Sequence, residues 1–306
     1  MNTEELNQQF AIRDQLRFEA GVNGLTRAVI HNDASSAEVY LHGGHITAFH
    51  PHGQSPVLWM SNLAQFKPDK AIRGGVPIVW PWFGAHPTDS TKPQHGFARI
   101  SEWNVAESSA PSNTESRLQL RMNSSPETEA LWPHQFELSY TITVTESLSL
   151  KLTTRNTGTD AFEVGCALHS YFAIGDIART TITGLDGRSY LDQLDGMQNK
   201  LQSGAVIIGD EVDRIYRDTE DECVVHDKAI DRDIHVAKSG SRSTVVWNPW
   251  ISKAQRMSDF PDDGYRTMIC VETTNAAEDI RTVNPGESHS IVQMISCHSS
   301  PSKTVN

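Results

Sequence analysis

Alternation of apolar and polar residues at period two constrains this chain more than any other feature. Phe136, Leu138, Tyr140, Ile142 and Val144 alternate with Glu137, Ser139, Thr141 and Thr143, and after a short Glu146-Ser147 break Leu148, Leu150 and Leu152 continue the pattern. Successive side chains of a strand point to opposite faces, so such a run segregates its apolar side only when extended. The spacing predicts an antiparallel hairpin with one face in the core. Residues 117–122 (RLQLRM) repeat the alternation, and shorter β-type runs are predicted at 162–167, 223–226, 234–237, 244–247, 268–273 and 288–295. Helical periodicity is confined to short candidates at 4–16, 62–66 and 252–257, while 108–116 and 123–128 read as polar loops. Strands without long intervening helices argue against a doubly wound sheet or a TIM barrel. The expectation is an all-β chain: one large antiparallel β-sandwich domain over residues 1–306, with few short helices and a frayed tail at about 299–306.

Charge narrows the classes of partner. With 26 Lys+Arg against 38 Asp+Glu the formal net charge is −12, and no basic run interrupts it. That balance argues against nucleic acid and against an anionic membrane surface. The longest apolar stretch, 76–85, contains two prolines and falls short of the ~20 residues a membrane span needs. The acidic start, MNTEELNQQF, lacks the features of a secretory signal and reads as cytoplasmic. Cys166, Cys223, Cys270 and Cys297 form no close pair, so they read as reduced thiols packed in strands.

Several segments hold residues with chemical potential, each open to a plainer reading. In residues 72–84 (IRGGVPIVWPWFG), Gly74 and Gly75 permit close backbone approach, and Trp80, Trp82 and Phe83 crowd behind a single Arg73. Aromatic rings can grip the C–H face of a sugar, but the same run can be a core strand with a buried turn. QHGFAR supplies Gln94, His95 and Arg99; Arg99 with Arg73 would make a fork for phosphate or carboxylate, and a polar loop is the alternative. His169 ends the apolar run 163–172 and is either a hydrogen-bonded core residue or a catalyst. Glu272 interrupts the apolar strand MICVETTN. A carboxylate there is costly unless paired or functional, and burial raises its pKa toward that of a base working near neutrality. His42, His45, His50 and His52 lie close in sequence, but no HExxH or facial carboxylate accompanies them. Residues 210–222 hold seven carboxylates against two arginines and read as a solvated loop in which Asp213 could turn inward. The GxSxG, P-loop and GxGxxG fingerprints are absent.

In order and at these intervals, RGGVPIVWPWFG from Arg73, QHGFAR from Gln94, LHSYF from Leu168, EVDRIY from Glu211, VWNPW from Val246 with Asp259-Phe-Pro behind it, MICVE from Met268 and NPGES from Asn284 resemble the aldose 1-epimerase superfamily, in particular its hexose-6-phosphate mutarotase branch. The resemblance implies a galactose mutarotase-like supersandwich that interconverts sugar anomers without a cofactor or metal. It places the general acid on His169 and the general base on Glu272. It places ligand-binding residues on Arg73, Gln94 and Arg99, an acidic sugar-binding position on Asp213, and a histidine near the ring on His95. The implied partner is a small hexose phosphate, glucose 6-phosphate foremost; a monomer is expected, with a dimer as the alternative. An unphosphorylated aldose, a non-catalytic carbohydrate-binding sandwich, and a retaining glycosidase with two carboxylates about 5 Å apart remain as competing readings. The negative net charge does not oppose a small anion, because an arginine ~4 Å from a phosphate oxygen is worth ~4 kcal/mol before desolvation at an effective dielectric of ~20. A cationic pocket on an otherwise anionic surface is therefore expected.

Overall fold

The computed structural model describes residues 1–299. Nine strands form an antiparallel sheet in the order Val206–Ile207, Thr180–Thr183, Cys223–Asp227, Arg232–Ser239, Ser288–Ser299, Leu148–Asn156, Phe136–Val144, Glu115–Asn123 and Asn104–Ser112. The expected hairpin lies within it, Phe136 opposite Asn156 and Val144 opposite Leu148. Burial follows the sequence alternation: Phe136, Leu138, Tyr140, Ile142 and Val144 are buried, and the residues between them are half-exposed. A sheet covered on one face only demands this pattern.

The second sheet is built differently. Its strands run in the order Gln198–Leu201, Ser189–Asp192, Val212–Arg217, Ser243–Asn248, Met268–Asn275, Cys166–Leu168 and Ile78–Val79, with Tyr171–Ala173 pairing to the first half of Met268–Asn275. Its inner-face residues share one apolar core with the nine-stranded sheet and with a four-stranded meander (Leu16–Ala20, Thr26–His31, Ser35–Tyr40, His45–Pro51). Tyr140 and Leu150 from the first sheet, Val246, Ile269 and Val271 from the second, and Phe18, Ile30 and Phe49 from the meander belong to one core. Burying each Val, Leu, Ile or Phe side chain among them is worth ~1.5–3 kcal/mol. The outer face of the second sheet is also covered: Tyr171, Val245, Trp247, Met268 and Cys270 form a separate apolar cluster with Trp59 and Phe260. Every residue of Ser243–Asn248 and of Met268–Asn275 is consequently buried.

The fold is the expected large antiparallel sandwich, with local corrections. The N-terminal helix spans only Thr3–Phe10, opened by an Asn2 capping box, and residues 62–66 hold a turn at 62–63 and no helix. A helix at Trp250–Ala254 replaces the one expected at 252–257. Within 123–128, read as loop, Ser125 and Thr128 make a capping box ahead of the helix Pro126–Leu131. Much of 108–116 belongs to the edge strand Asn104–Ser112, of which only Val105 is buried, so little apolar signal marks it. All four cysteines are free and buried. Ser299 ends the last strand, and the rest of the expected frayed tail lies outside the described residues. Among the described residues no helix is long and apolar enough to cross a membrane.

Candidate active site

Strand register brings the two leading candidates together. Met268–Asn275 pairs with two short strands, Leu168 opposite Thr273 and Tyr171 opposite Cys270. That register sets His169 opposite Glu272. Period two then decides direction: Glu272 shares the outer face with Met268 and Cys270, while Ile269 and Val271 face the main core. His169 Nε2 lies 3.4 Å from Glu272 Oε1, with 10% and 1% of the side chains exposed. The imidazole stacks on the Tyr171 ring at 4.8 Å and meets Trp247 edge-on at 6.0 Å. His169 Nδ1 and Glu272 Oε2 have no hydrogen-bond partner in the protein.

Burial dominates the electrostatics of this pair. It pushes the Glu272 carboxyl well above the ordinary carboxylate range, with Asp213 adding to the rise and Arg99 opposing it. It pushes His169 well below the ordinary imidazole range, reinforced by His95, Arg99 and Arg73. These directions favour a neutral pair, carboxyl plus imidazole. That pair has the same proton count as carboxylate plus imidazolium, so the two forms differ only in where one proton sits.

Both residues open on a cleft of ≈ 420 Å³ that also reaches Arg73, Gln94, His95, Arg99 and Asp213. Arg73 is held in place, donating from Nε to Asp259 Oδ2 at 3.2 Å and from Nη1 to the Tyr171 hydroxyl at 3.0 Å. Arg99 donates from Nη2 to the Gln94 carbonyl at 2.8 Å. It has no carboxylate partner within ion-pair distance among the described residues, and burial and then Arg73 push its pKa down to about 10. The same two arginines line an adjoining hollow of ≈ 390 Å³ with Lys70 and Arg256, against the single carboxylate of Asp259. This is the cationic patch expected on a chain of net charge −12.

His95 is fixed as a neutral donor. Gly84 N–H donates to its Nδ1 at 3.2 Å, which leaves the proton on Nε2. Burial, then Arg99, pushes its pKa down to about 3. The turn that holds it is tight: a Cβ on Gly96, at φ 71°, would stand 1.8 Å from the Trp80 carbonyl oxygen. Asp213 corrects the loop reading of 210–222, because it belongs to the strand Val212–Arg217, opposite Trp247. It accepts a hydrogen bond from Gln193, lies 3.7 Å from Lys253 Nζ, and is pushed up to about 6 by burial.

Other sequence candidates lie elsewhere. Trp80 is wholly buried and donates to Thr154 Oγ1, and Trp82 donates to the Pro93 carbonyl. Of the crowded aromatics only Phe83 reaches the cleft, whose aromatic walls are Phe83, Tyr171 and Trp247. The ring nitrogens of His42, His45, His50 and His52 engage backbone carbonyls of Lys70, Gly74, Gln54 and Asp33 respectively. Among the described residues the donor set with metal-like spacing is instead His169, Cys270 and Glu272, all within 4.8 Å. Sequence reading missed Gln193, Lys253 and Trp247; the VWNPW motif was the one signal that pointed near them.

A supersandwich with a buried carboxyl and imidazole in contact on the outer face of one sheet, beside paired guanidinium groups, is of the mutarotase-like class. The chain belongs to the aldose 1-epimerase family, whose model matches residues 27–296. It is 36% identical over 262 residues to an Escherichia coli protein named "Putative glucose-6-phosphate 1-epimerase", spanning 85% of this chain and 87% of that one. The crystal structure of a Salmonella typhimurium protein described as a "putative mutarotase" superposes with a TM-score of 0.88 at 32% identity, over 95% of this chain and 96% of the other. A galactose mutarotase-like protein from Clostridium acetobutylicum shares the fold alone, with a TM-score of 0.74 at 12% identity over 93% and 98% of the two chains.

Proposed function

We propose that the protein interconverts the α and β anomers of a hexose 6-phosphate, glucose 6-phosphate foremost. The observation that carries this reading is the His169–Glu272 contact at 3.4 Å on a cleft that presents Arg99, which has no carboxylate partner among the described residues. The names of relatives at 36% identity support the choice of substrate.

Anomerisation requires a proton to leave the C1 hydroxyl while another reaches the ring oxygen, so that the ring opens to an aldehyde. Glu272 as carboxylate takes the first, and His169 as imidazolium gives the second. Rotation about C1–C2 and reclosure on the other carbonyl face, with both transfers reversed, yields the other anomer. The ion-pair form this needs is one proton shift away from the neutral pair that burial favours. Two of the influences that hold His169 down are Arg99 and Arg73. A phosphate dianion beside them offsets both, so the substrate itself favours the imidazolium. His95, as a neutral Nε2–H donor, and Asp213 position ring hydroxyls, while Phe83 and Trp247 contact the apolar ring face.

Magnetisation transfer between the two anomeric protons of glucose 6-phosphate at equilibrium tests the proposal. The exchange rate is expected to rise in proportion to enzyme; equal rates with and without enzyme overturn the reading. We also read residues 1–306 as one domain, supported by a core shared among three sheets. A cytoplasmic setting agrees with four free thiols.

A further inference from the structure

The outer face of the eight-stranded sheet carries the proposed proton-transfer pair, and its inner face carries the residues that follow each member in sequence. Ser170 follows His169 and Thr273 follows Glu272, and both side chains are buried against the core. A single side chain from the opposite sheet reaches both. Gln293 stands on Ser288–Ser299, between buried Ile291 and Ile295, and is wholly buried itself. Its Oε1 accepts from Ser170 Oγ. Its Nε2 donates to Thr273 Oγ1 at 3.1 Å and, at 3.5 Å, to the Val271 carbonyl.

A primary amide in an apolar core loses its hydration, and only hydrogen bonds made inside the protein offset that loss. Gln293 meets this condition by spanning the sandwich, and its partners are the two side chains adjacent to the acid and the base. The local backbone gives a reason for such a tie. Between Leu168 and Tyr171 the ladder to Met268–Asn275 is interrupted: His169 N–H is donated instead to the Pro77 carbonyl, and Ser170 N–H to Leu168 two residues back. The segment that carries His169 is thus joined to the segment that carries Glu272 through side chains where ladder bonds are missing. From this arrangement we infer that Gln293 is a positioning residue, which ties Ser170 to Thr273 across the core and thereby sets the distance between His169 and Glu272. It touches neither the cleft nor the substrate.

The inference rests on the proposed anomerase reading for its kinetic readout. Reacting groups displaced by ~1 Å can lose ~10²-fold in rate. Gln293→Met, similar in volume but without the amide, is expected to lower kcat for glucose 6-phosphate at least ~10-fold while KM stays within about 2-fold, because Arg73 and Arg99 are untouched. Ser170→Ala and Thr273→Val each remove one leg of the bridge with little change in volume, and serve if Gln293→Met does not fold. Each is expected to lower kcat several-fold. The Gln293→Met/Ser170→Ala double variant is expected to be no slower than Gln293→Met alone, since both break the same tie. A second readout is independent of turnover: the His169 imidazole NMR signals, assigned by their loss in His169→Ala, should shift in all three single variants. Folded variants with unchanged kcat and unshifted His169 signals overturn the inference and leave Gln293 a purely structural residue. A wild-type protein that does not accelerate exchange overturns the anomerase reading instead, while the imidazole shifts still decide whether Gln293 positions His169.

Discussion

The two large sheets follow opposite rules. In the nine-stranded sheet each central strand alternates buried and accessible residues, as Phe136–Val144 and Leu148–Asn156 do. In the eight-stranded sheet Ser243–Asn248 and Met268–Asn275 are buried throughout, and the outer half of that burial includes a glutamate. The first sheet spends its sequence on one apolar face and leaves the other to solvent. The second is covered on both sides, and the polar groups it buries include Glu272, which opens on the cleft, beside structural ones such as Ser243, Asn248 and Thr274. Stability and reactivity are thereby assigned to different layers of one sandwich.

This division can be broken most strongly at Glu272. Glu272→Gln keeps shape and removes the base, so the catalysed exchange rate is expected to fall ~10²–10⁴-fold, with the circular dichroism spectrum unchanged. The mirror experiment is Leu150→Ala, wholly buried in the nine-stranded sheet. It is expected to cost about 2–5 kcal/mol in denaturant unfolding and to leave kcat of the folded protein unaltered. Arg99→Ala probes the cleft. Loss of a charge-assisted bond worth about 1.5–3 kcal/mol should raise KM for glucose 6-phosphate ~10–100-fold, with little change for free glucose. Equal losses on both sugars would show that Arg99 does not read the phosphate.

A smaller effect comes from pH. The native Glu272 carboxyl is raised above its ordinary 4.5, so above that pH the unfolded state holds fewer protons than the native one. Stability therefore falls as pH rises from 4.5 toward the raised value, by about 1.4 kcal/mol per pH unit for a single proton. Asp213, raised to about 6, adds loss of the same sign; Arg99 opposes the rise at Glu272, and Lys253 and Gln193 oppose it at Asp213. His169, lowered, contributes loss in the other direction, as pH falls below 6.5. Glu272→Gln should consequently be more stable than the wild type at pH 7, a gain visible as a higher Tm; a lower Tm would mean the carboxyl is not under strain. The smallest change is expected at Lys151→Gln, on the accessible face of the nine-stranded sheet, with stability within about 0.5 kcal/mol and full activity.

The same contrast explains what could be read from the chain. The 136–152 hairpin was legible because a one-sided strand writes its orientation into local alternation. Val212–Arg217 was not, because Asp213, Arg214 and Arg217 resemble a solvated loop until their sheet neighbours are known. Asn104–Ser112 hid as polar loop because an edge strand has little to bury. Of the two readings open for Trp80 and Trp82, sugar platform or core strand with buried turn, the structure takes the second, and the cleft takes Trp247 from a distant motif. The four histidines crowded in sequence each turn to a different backbone carbonyl.

Sequence by itself determined the strand-rich class and the face of the main hairpin. It also singled out His169, Glu272, Arg73 and Arg99 as candidates, through the resemblance its ordered motifs carry. Tertiary structure alone decided that His169 stands opposite Glu272, that Asp213 faces the cleft, and that Gln293 crosses the core to their neighbours. The physical reason is range. Alternation and turn chemistry act within a few residues, whereas register, burial on a second face and the pKa shifts that follow from burial arise only when distant segments pack together.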